Sequence, residues 1–174
     1  MSIDFSVYVD QPLEVASVMR ETSAVLRELL QVQDIPDLQV EEFREGVRLD
    51  APSTIMSSDT GGFVLSLSGK NPVATLVFDT EEADSTPTWM ASVSVYGAGG
   101  APQKLVMGIA CSVAIARLAR SRIDSISFIG WSDTGYEADE LVAQVKCRRT
   151  YDDLEEAFAE VVSHINTKSD ERRM

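Results

Sequence analysis

From Trp89 to Arg120 the chain reads WMASVSVYGAGGAPQKLVMGIACSVAIARLAR, and the rest of the fold is predicted outward from this segment. Residues 89–96 alternate with period two, which is typical of a strand with one buried face. A glycine-rich corner follows, and Pro102 suits the first turn of a helix. Residues 102–120 carry a broad apolar stripe at helical spacing, so we expect a helix that is buried on more than one side.

Further periodic segments surround this one. Residues 3–9 alternate and predict a first strand, and residues 12–31 predict a helix that Asp10 or Gln11 caps, with Pro12 in its first turn. Residues 63–78 predict a hairpin that joins the strand at 89–96 in an antiparallel meander over 63–96. Thr150 and Asp153 resemble a capping box before a C-terminal helix over 151–166.

Several segments carry weaker patterns. Residues 38–43 and 47–49 predict two short strands around Glu45 and Gly46, and residues 51–62 predict a polar loop. Residues 123–129 predict another strand after the central helix. Residues 137–148 suit a helix and a strand equally well, because their apolar residues match both periods.

These elements predict an α+β fold. We expect an antiparallel sheet of about four to six strands, with the helices over 12–31 and 102–120 packed on it. The length of 174 residues and the hydrophobic content of 44% suit one domain, over residues 1–167, with a real core. Residues 168–174 are expected to form a polar C-terminal tail.

Cysteine content and hydropathy indicate a cytoplasmic protein. Cys111 and Cys147 make no disulfide framework, and Cys111 lies on the apolar helix, where a buried core thiol is expected. The N-terminus shows no secretory signal pattern. Ser112 and Arg117 interrupt the apolar run of the central helix before it reaches the roughly 20 residues that a membrane span requires.

The charge balance is the main indication of function. The chain has 28 acidic and 15 basic residues and a formal net charge of −13. Such a balance disfavours general binding to nucleic acid or anionic membrane, because phosphate neutralisation requires lysine and arginine. It favours rapid encounter with a basic protein partner, although solubility alone explains the same acidity equally well.

The corner of Gly97, Ala98, Gly99 and Gly100 lies between a strand and a helix, where backbone amides can bind an anion. The order of elements over residues 63–129 resembles the acetyl-CoA-dependent N-acetyltransferase superfamily, in which a meander precedes a glycine-containing pyrophosphate loop and a helix. The resemblance implies acyl-CoA binding at the corner. The arginine or glutamine usual ahead of those glycines is replaced here by residues 94–96, and a corner needed only for packing is the favoured interpretation.

Hydrolase and metal sites are not expected. The run Gly130, Trp131, Ser132 and Asp133 lacks the second glycine of a nucleophile elbow, and His164 is the only histidine available for a triad. One histidine and two distant cysteines do not suit zinc, and the acidic clusters lack the ligand spacing of a calcium loop. We therefore predict no catalytic residue, cofactor or metal.

The sequence predicts a non-enzymatic acidic binding protein. Its most concrete form is a bacterial immunity protein that blocks a basic toxin, possibly a nuclease, by filling the toxin's phosphate groove with carboxylates. A secretion chaperone, dimeric and bound to an extended effector segment, is the other non-enzymatic alternative. The predicted contacts are two acidic loops and their aromatic residues: Asp79, Glu81, Glu82, Asp84, Trp131, Asp133, Tyr136, Glu137, Asp139 and Glu140.

Overall fold

The computed structural model describes residues 3–67, 73–81, 88–95, 102–125 and 135–173, which confirm the predicted α+β class. The helices are α1 (Val15–Leu30), α2 (Pro102–Ala119), α3 (Ala138–Val145) and α4 (Leu154–Arg173). The strands are β1 (Ile3–Val9), β2 (Leu13–Glu14), β3 (Leu38–Arg44), β4 (Val47–Arg48), β5 (Ile55–Met56), β6 (Gly62–Leu67), β7 (Val73–Glu81), β8 (Thr88–Val95) and β9 (Ile123–Ser125).

One sheet holds seven of these strands, in the order β4-β3-β6-β7-β8-β1-β9, and all of its pairs are antiparallel. The meander predicted over residues 63–96 forms its centre as β6, β7 and β8. The predicted size of about four to six strands is not matched, since the sheet also takes up the short strands β4 and β9 at its edges. The pair β2 and β5 forms a separate two-stranded sheet.

Helix α2 is the centre of the core, as its sequence predicts. It contacts α1, α3 and α4 as well as β1, β7 and β8 of the sheet. Every residue from Val106 to Ala116 is buried, including Ser112, whose hydroxyl donates a hydrogen bond of 2.7 Å to the Gly108 carbonyl. A helix that is buried all round needs an internal partner for each polar side chain, and this bond supplies it.

The predicted start of the first helix at Pro12 is wrong. The chain forms β2 there, and α1 begins at Val15 with Glu14 as its N-cap, in extended conformation and without a side-chain cap bond. Leu13 and Glu14 pair with Met56 and Ile55, so β5 lies inside the segment that the sequence predicts to be a polar loop. Pairing between residues more than forty positions apart leaves no local signal, which explains both errors.

Two differences concern the C-terminal part of the chain. Residues 137–148, ambiguous in sequence, contain helix α3, whose buried face is Ala138, Leu141, Val142 and Val145. The last helix begins at Leu154 and continues to Arg173, so the predicted end near residue 166 is wrong. Its cap is Asp153, which accepts a hydrogen bond from the Glu156 backbone N–H at 3.0 Å, rather than a capping box with Thr150.

The hairpin of β3 and β4 is confirmed, with Glu45 and Gly46 at its turn. Their φ angles are 52° and 79°, the left-handed values that a tight two-residue hairpin turn requires. The predicted strand at 123–129 appears over Ile123–Ser125 as β9, and residues 126–129 lie outside the described part of the chain. Within the described residues, no helix combines the length and apolar character needed to span a membrane.

Candidate functional site

The first predicted acidic loop is only partly a loop. Asp79 and Glu81 belong to β7, where they pair with Met90 and Thr88 of β8, while Glu82 and Asp84 lie outside the described residues. Met90 in turn pairs with Tyr8 of β1, whose side chain is 42% exposed. The sequences of β1, β6, β7 and β8 contain no lysine or arginine. Asp79 therefore lies in the same cross-strand row as an exposed tyrosine, within strands that supply no positive charge.

The second predicted contact region is divided. Trp131 and Asp133 lie outside the described residues, and Tyr136 is buried, with 6% of its surface exposed. The backbone of Tyr136 exchanges hydrogen bonds with Ile123 at 2.7 and 2.9 Å, which continues the edge of the sheet beyond β9. Tyr136, predicted as a partner contact, is therefore buried, and of this group only Glu137, Asp139 and Glu140 lie on the described surface.

Two of these three carboxylates are occupied within the molecule. Glu137 lies 3.3 Å from Arg122, and Asp139 accepts hydrogen bonds of 2.7 and 3.0 Å from Arg117. Among the described residues, Glu140 meets only the Gln144 amide, at 3.4 Å. Ion pairs at the surface contribute little to stability, but they reduce the negative charge that a partner meets.

Arg117 connects three helices through carboxylates. Its guanidinium lies 3.5 Å from Glu21 and 3.0 Å from Glu28 on α1, and it binds Asp139 on α3. Partial burial lowers the pKa of the guanidinium, but the hydrogen bonds to Asp139 and Glu28 outweigh this effect, so the pKa is raised. No sequence pattern indicated these contacts, because the three partners of Arg117 come from distant segments.

A third acidic group, at the start of α4, is exposed. It consists of Asp152, Asp153, Glu155 and Glu156. Glu155 accepts a hydrogen bond of 2.7 Å from Gln103, which lies in the first turn of α2. The N-terminus of α2, next to the glycine corner, therefore already has a carboxylate beside it. This arrangement opposes an anionic ligand there, because like charges repel. The corner itself, residues 97–100, lies outside the described residues.

Glu42 is the carboxylate that the sequence interpretation missed. It lies on β3 opposite Phe63 and is fully buried, on the same side of the strand as Leu38 and Val40. Its oxygens accept hydrogen bonds from the backbone N–H groups of Ser53 at 2.6 Å and Gly61 at 2.9 Å. The alternation of β3 was the available signal, since it places a glutamate where an apolar residue is expected.

The surroundings of Glu42 keep it ionised. Burial raises the pKa of the carboxyl group, but hydrogen bonds from Ser53 and Gly61, together with the charge of Arg44 at 3.6 Å, lower it further than burial raises it. Gly61 is needed for this approach. A Cβ added there would overlap the Phe43 carbonyl oxygen and come within 3.2 Å of Glu42 Cγ. Glu42 thus fastens both ends of the segment between Ser53 and Gly61 to the sheet.

The only histidine of the chain belongs to a polar cluster between α3 and α4. His164 is partly buried: its side chain is 19% exposed, Nδ1 lies 3.1 Å from the Lys146 carbonyl, and Nε2 lies 3.6 Å from Glu160. Glu160 also accepts hydrogen bonds from the Tyr151 hydroxyl and the Arg148 N–H, which lower its pKa. Both nitrogens of the imidazole therefore face acceptor oxygens, as they do in a structural histidine.

The thiols of Cys111 and Cys147 are buried and unreactive. Burial raises the pKa of Cys111 to about 12 and that of Cys147 to about 11. The Cys147 thiol donates to the Ala157 carbonyl at 3.4 Å. Because the thiolate is the reactive form, neither group is activated as a nucleophile. The expectation of a core thiol at Cys111 is confirmed, and both cysteines are free.

The described residues bring together no group of three or more histidine, cysteine, aspartate or glutamate side chains that could hold a metal ion. What they do provide is surface carboxylates and one buried carboxylate that organises a loop. Comparison with known proteins finds no matching family model, no similar curated protein and no similar solved structure.

Proposed function

We propose that this chain is a non-enzymatic acidic binding protein that captures a basic protein partner. In its most concrete form it is a bacterial immunity protein, which neutralises a cognate basic toxin, possibly a nuclease, by direct binding. The observation that carries the proposal is the placement of the negative charge. Among carboxylates with described side chains, Glu42 alone is buried, and the others lie at half-buried or exposed positions.

Internal ion pairs consume only part of this charge. Arg117, Arg122 and Arg48 bind carboxylates of the same chain, yet the start of α4 and the segment around β3 keep an acidic excess. A surface of this kind raises the rate of encounter with a positively charged macromolecule, and the enhancement falls with ionic strength. Of the contacts predicted from sequence, Asp79, Glu81 and Glu140 remain in this proposal, whereas Glu137 and Asp139 have structural partners.

The experiment is capture followed by reconstitution. The tagged chain is used at low salt to isolate bound protein from the cells that make it, and the purified pair is then titrated at increasing salt. We expect a basic partner, a one-to-one complex whose affinity falls steeply with salt, and relief of growth inhibition when the two proteins are co-expressed. A neutral or acidic partner bound with no dependence on salt would refute the proposal.

An acyl-CoA-dependent N-acetyltransferase-like enzyme is a second candidate, favoured only by the order of elements: β6, β7 and β8, then α2, then β9. The Glu155 carboxylate beside Gln103 counts against an anion at the start of α2. Calorimetry with acetyl-CoA distinguishes the two functions, because the binding protein should give no heat of binding. A secretion chaperone would instead be dimeric, which light scattering would reveal.

A further inference from the structure

The outer edge of β3 is the surface with the clearest unused binding capacity. The strand lies next to the end of the sheet and is covered by β4 only at Phe43 and Arg44. Beyond them, the Leu49 N–H donates to the Glu42 carbonyl at 2.8 Å. No strand among the described residues pairs with the outer edge from Leu38 to Glu41.

The ladder determines which backbone groups face outward there. In an antiparallel pair, successive residues direct their N–H and C=O groups alternately to the two sides of the strand. Since Glu42 bonds towards Leu49, on the β4 side, Val40 and Leu38 must face that side as well. Gln39 and Glu41 face β6 instead. Val40 and Leu38 therefore present two donors and two acceptors at an edge that no described strand covers.

The side chains of the edge are also incompletely covered. Leu38 and Val40 are partly exposed, although their partners on β6, Leu67 and Leu65, are 1% and 0% exposed. Leu38 and Val40 are therefore less completely covered than the β6 residues beside them. An added strand would bury this apolar surface as well as satisfy the backbone groups.

The charge around the edge selects the occupant. Between Asp34 and Asp50 the chain has six acidic and two basic residues, and both arginines already contact glutamates of β3, Arg48 to Glu41 at 3.0 Å and Arg44 to Glu42 at 3.6 Å. Asp34 and Asp37, which lead into β3, are exposed. A second copy of the chain on this edge would bring the same carboxylates together, which costs free energy.

We propose that the outer edge of β3 is a strand-addition site for an extended, lysine- or arginine-bearing segment of a partner protein. The inference rests on the proposed function and specifies its contact: main-chain hydrogen bonds to Val40 and Leu38 supply the pairing, and the surrounding carboxylates supply the preference for basic side chains. Strand addition to an exposed edge draws its affinity from the main chain and its specificity from side chains on alternate positions.

The test uses the full chain and two labelled peptides, acetyl-KVKVKVK-amide and its matched acidic counterpart acetyl-EVEVEVE-amide. We expect the lysine peptide to bind at least tenfold more tightly by fluorescence anisotropy, and its addition to shift the amide NMR signals of Leu38 and Val40 more than others. Val40→Pro removes one outward N–H without touching the β6 ladder and should weaken binding at least tenfold. Val40→Ala keeps that N–H and should change binding less than threefold.

If Val40→Pro does not fold, a second variant tests the proposal. Asp34→Asn with Asp37→Asn leaves the backbone intact and should weaken binding of the lysine peptide at least threefold. Equal affinity for the two peptides, no binding up to about 1 mM, or largest shifts away from β3 would overturn the proposal. A dimer that Val40→Pro dissociates would show that a second copy occupies the edge.

The two proposals fail separately. If a basic partner protein binds folded Val40→Pro as tightly as the unchanged chain, the strand-addition site is wrong and the proposed function stands. If neither basic peptide nor basic protein binds, both are wrong.

Discussion

Glu42 and Arg117 both place a charge inside or partly inside the molecule, but their partners differ in kind. Glu42 is fully buried, and its carboxylate accepts hydrogen bonds from the backbone N–H groups of Ser53 and Gly61 in one loop. Arg117 is 25% exposed, and its guanidinium contacts the carboxylates of Glu21 and Glu28 on α1 and of Asp139 on α3. Backbone donors fix one geometry, whereas long side chains around a guanidinium can rearrange. A charge held by the backbone should therefore be far less tolerant of change.

Glu42→Ala should give the largest effect. It leaves the N–H groups of Ser53 and Gly61 without their acceptor and opens a cavity beside Phe63, so we expect a loss of about 2 to 4 kcal/mol in the free energy of unfolding. Urea denaturation followed by circular dichroism measures it. Its neighbour Glu41→Ala is the matched control and should cost less than about 1 kcal/mol. Equal losses would contradict the distinction between the two glutamates.

Gly61→Ala should follow in size. The added methyl group meets the Phe43 carbonyl oxygen and Glu42 Cγ, so the loop must move away from the carboxylate. We expect a loss of about 1 to 3 kcal/mol. Gly46→Ala is an informative control: its Cβ would meet no atom within 4 Å, but its φ of 79° is left-handed, so the cost should be about 1 kcal/mol. A larger loss at Gly46 would mean that the approach at Gly61 is not tight.

Arg117→Met should have a smaller effect, of about 1 to 2 kcal/mol, because the pairs are partly solvated and the methionine retains much of the packing. The loss should shrink in 1 M sodium chloride, where the screening length is about 3 Å. Arg20 is an exposed arginine whose side chain bonds to Ser17 at 3.3 Å, and Arg20→Met should change stability by less than about 0.5 kcal/mol. A loss at Arg117 that does not depend on salt would point to packing as its cause.

The smallest expected effect is on the pH dependence of folding stability. The pKa of Glu42 is lowered in the folded state, so its contribution is present above the unfolded value of about 4.3 and is lost as pH falls through the folded-state pKa. The stability of Glu42→Gln should therefore decline less steeply than that of the unchanged chain below about pH 4. If the melting temperatures of the unchanged chain and of Glu42→Gln fall in parallel as the pH is lowered, Glu42 does not supply this dependence.

The β3 segment shows how far periodicity extends. Alternation over residues 38–43 and the Glu45–Gly46 turn predicted the hairpin correctly, because both depend on residues next to each other in the chain. The same alternation was the available signal for a buried Glu42, but its hydrogen-bond donors on Ser53 and Gly61 could not be predicted without the path of the loop. The prediction for residues 12–14 was wrong for the same reason, since the partner strand β5 is distant in sequence.

The candidate contacts were predictable in part. Charge count singled out Glu137, Asp139 and Glu140, and the structure places them on the surface, while their contact with a partner stays a prediction. Their engagement by Arg122 and Arg117, and the burial of Tyr136, depend on how α2, α3 and β9 meet. The exposed edge of β3 could not be predicted either, because whether a strand is central or at an edge is a property of the assembled sheet.

By itself, the sequence determined the α+β class, the central place of α2 and the acidic character of the surface, because apolar periodicity and charge are local quantities. Only the tertiary structure decided which carboxylates are free, which one is buried, and where the sheet ends. Those features depend on contacts between segments that are distant in the sequence, and the residues of one segment do not determine which other segment it will meet.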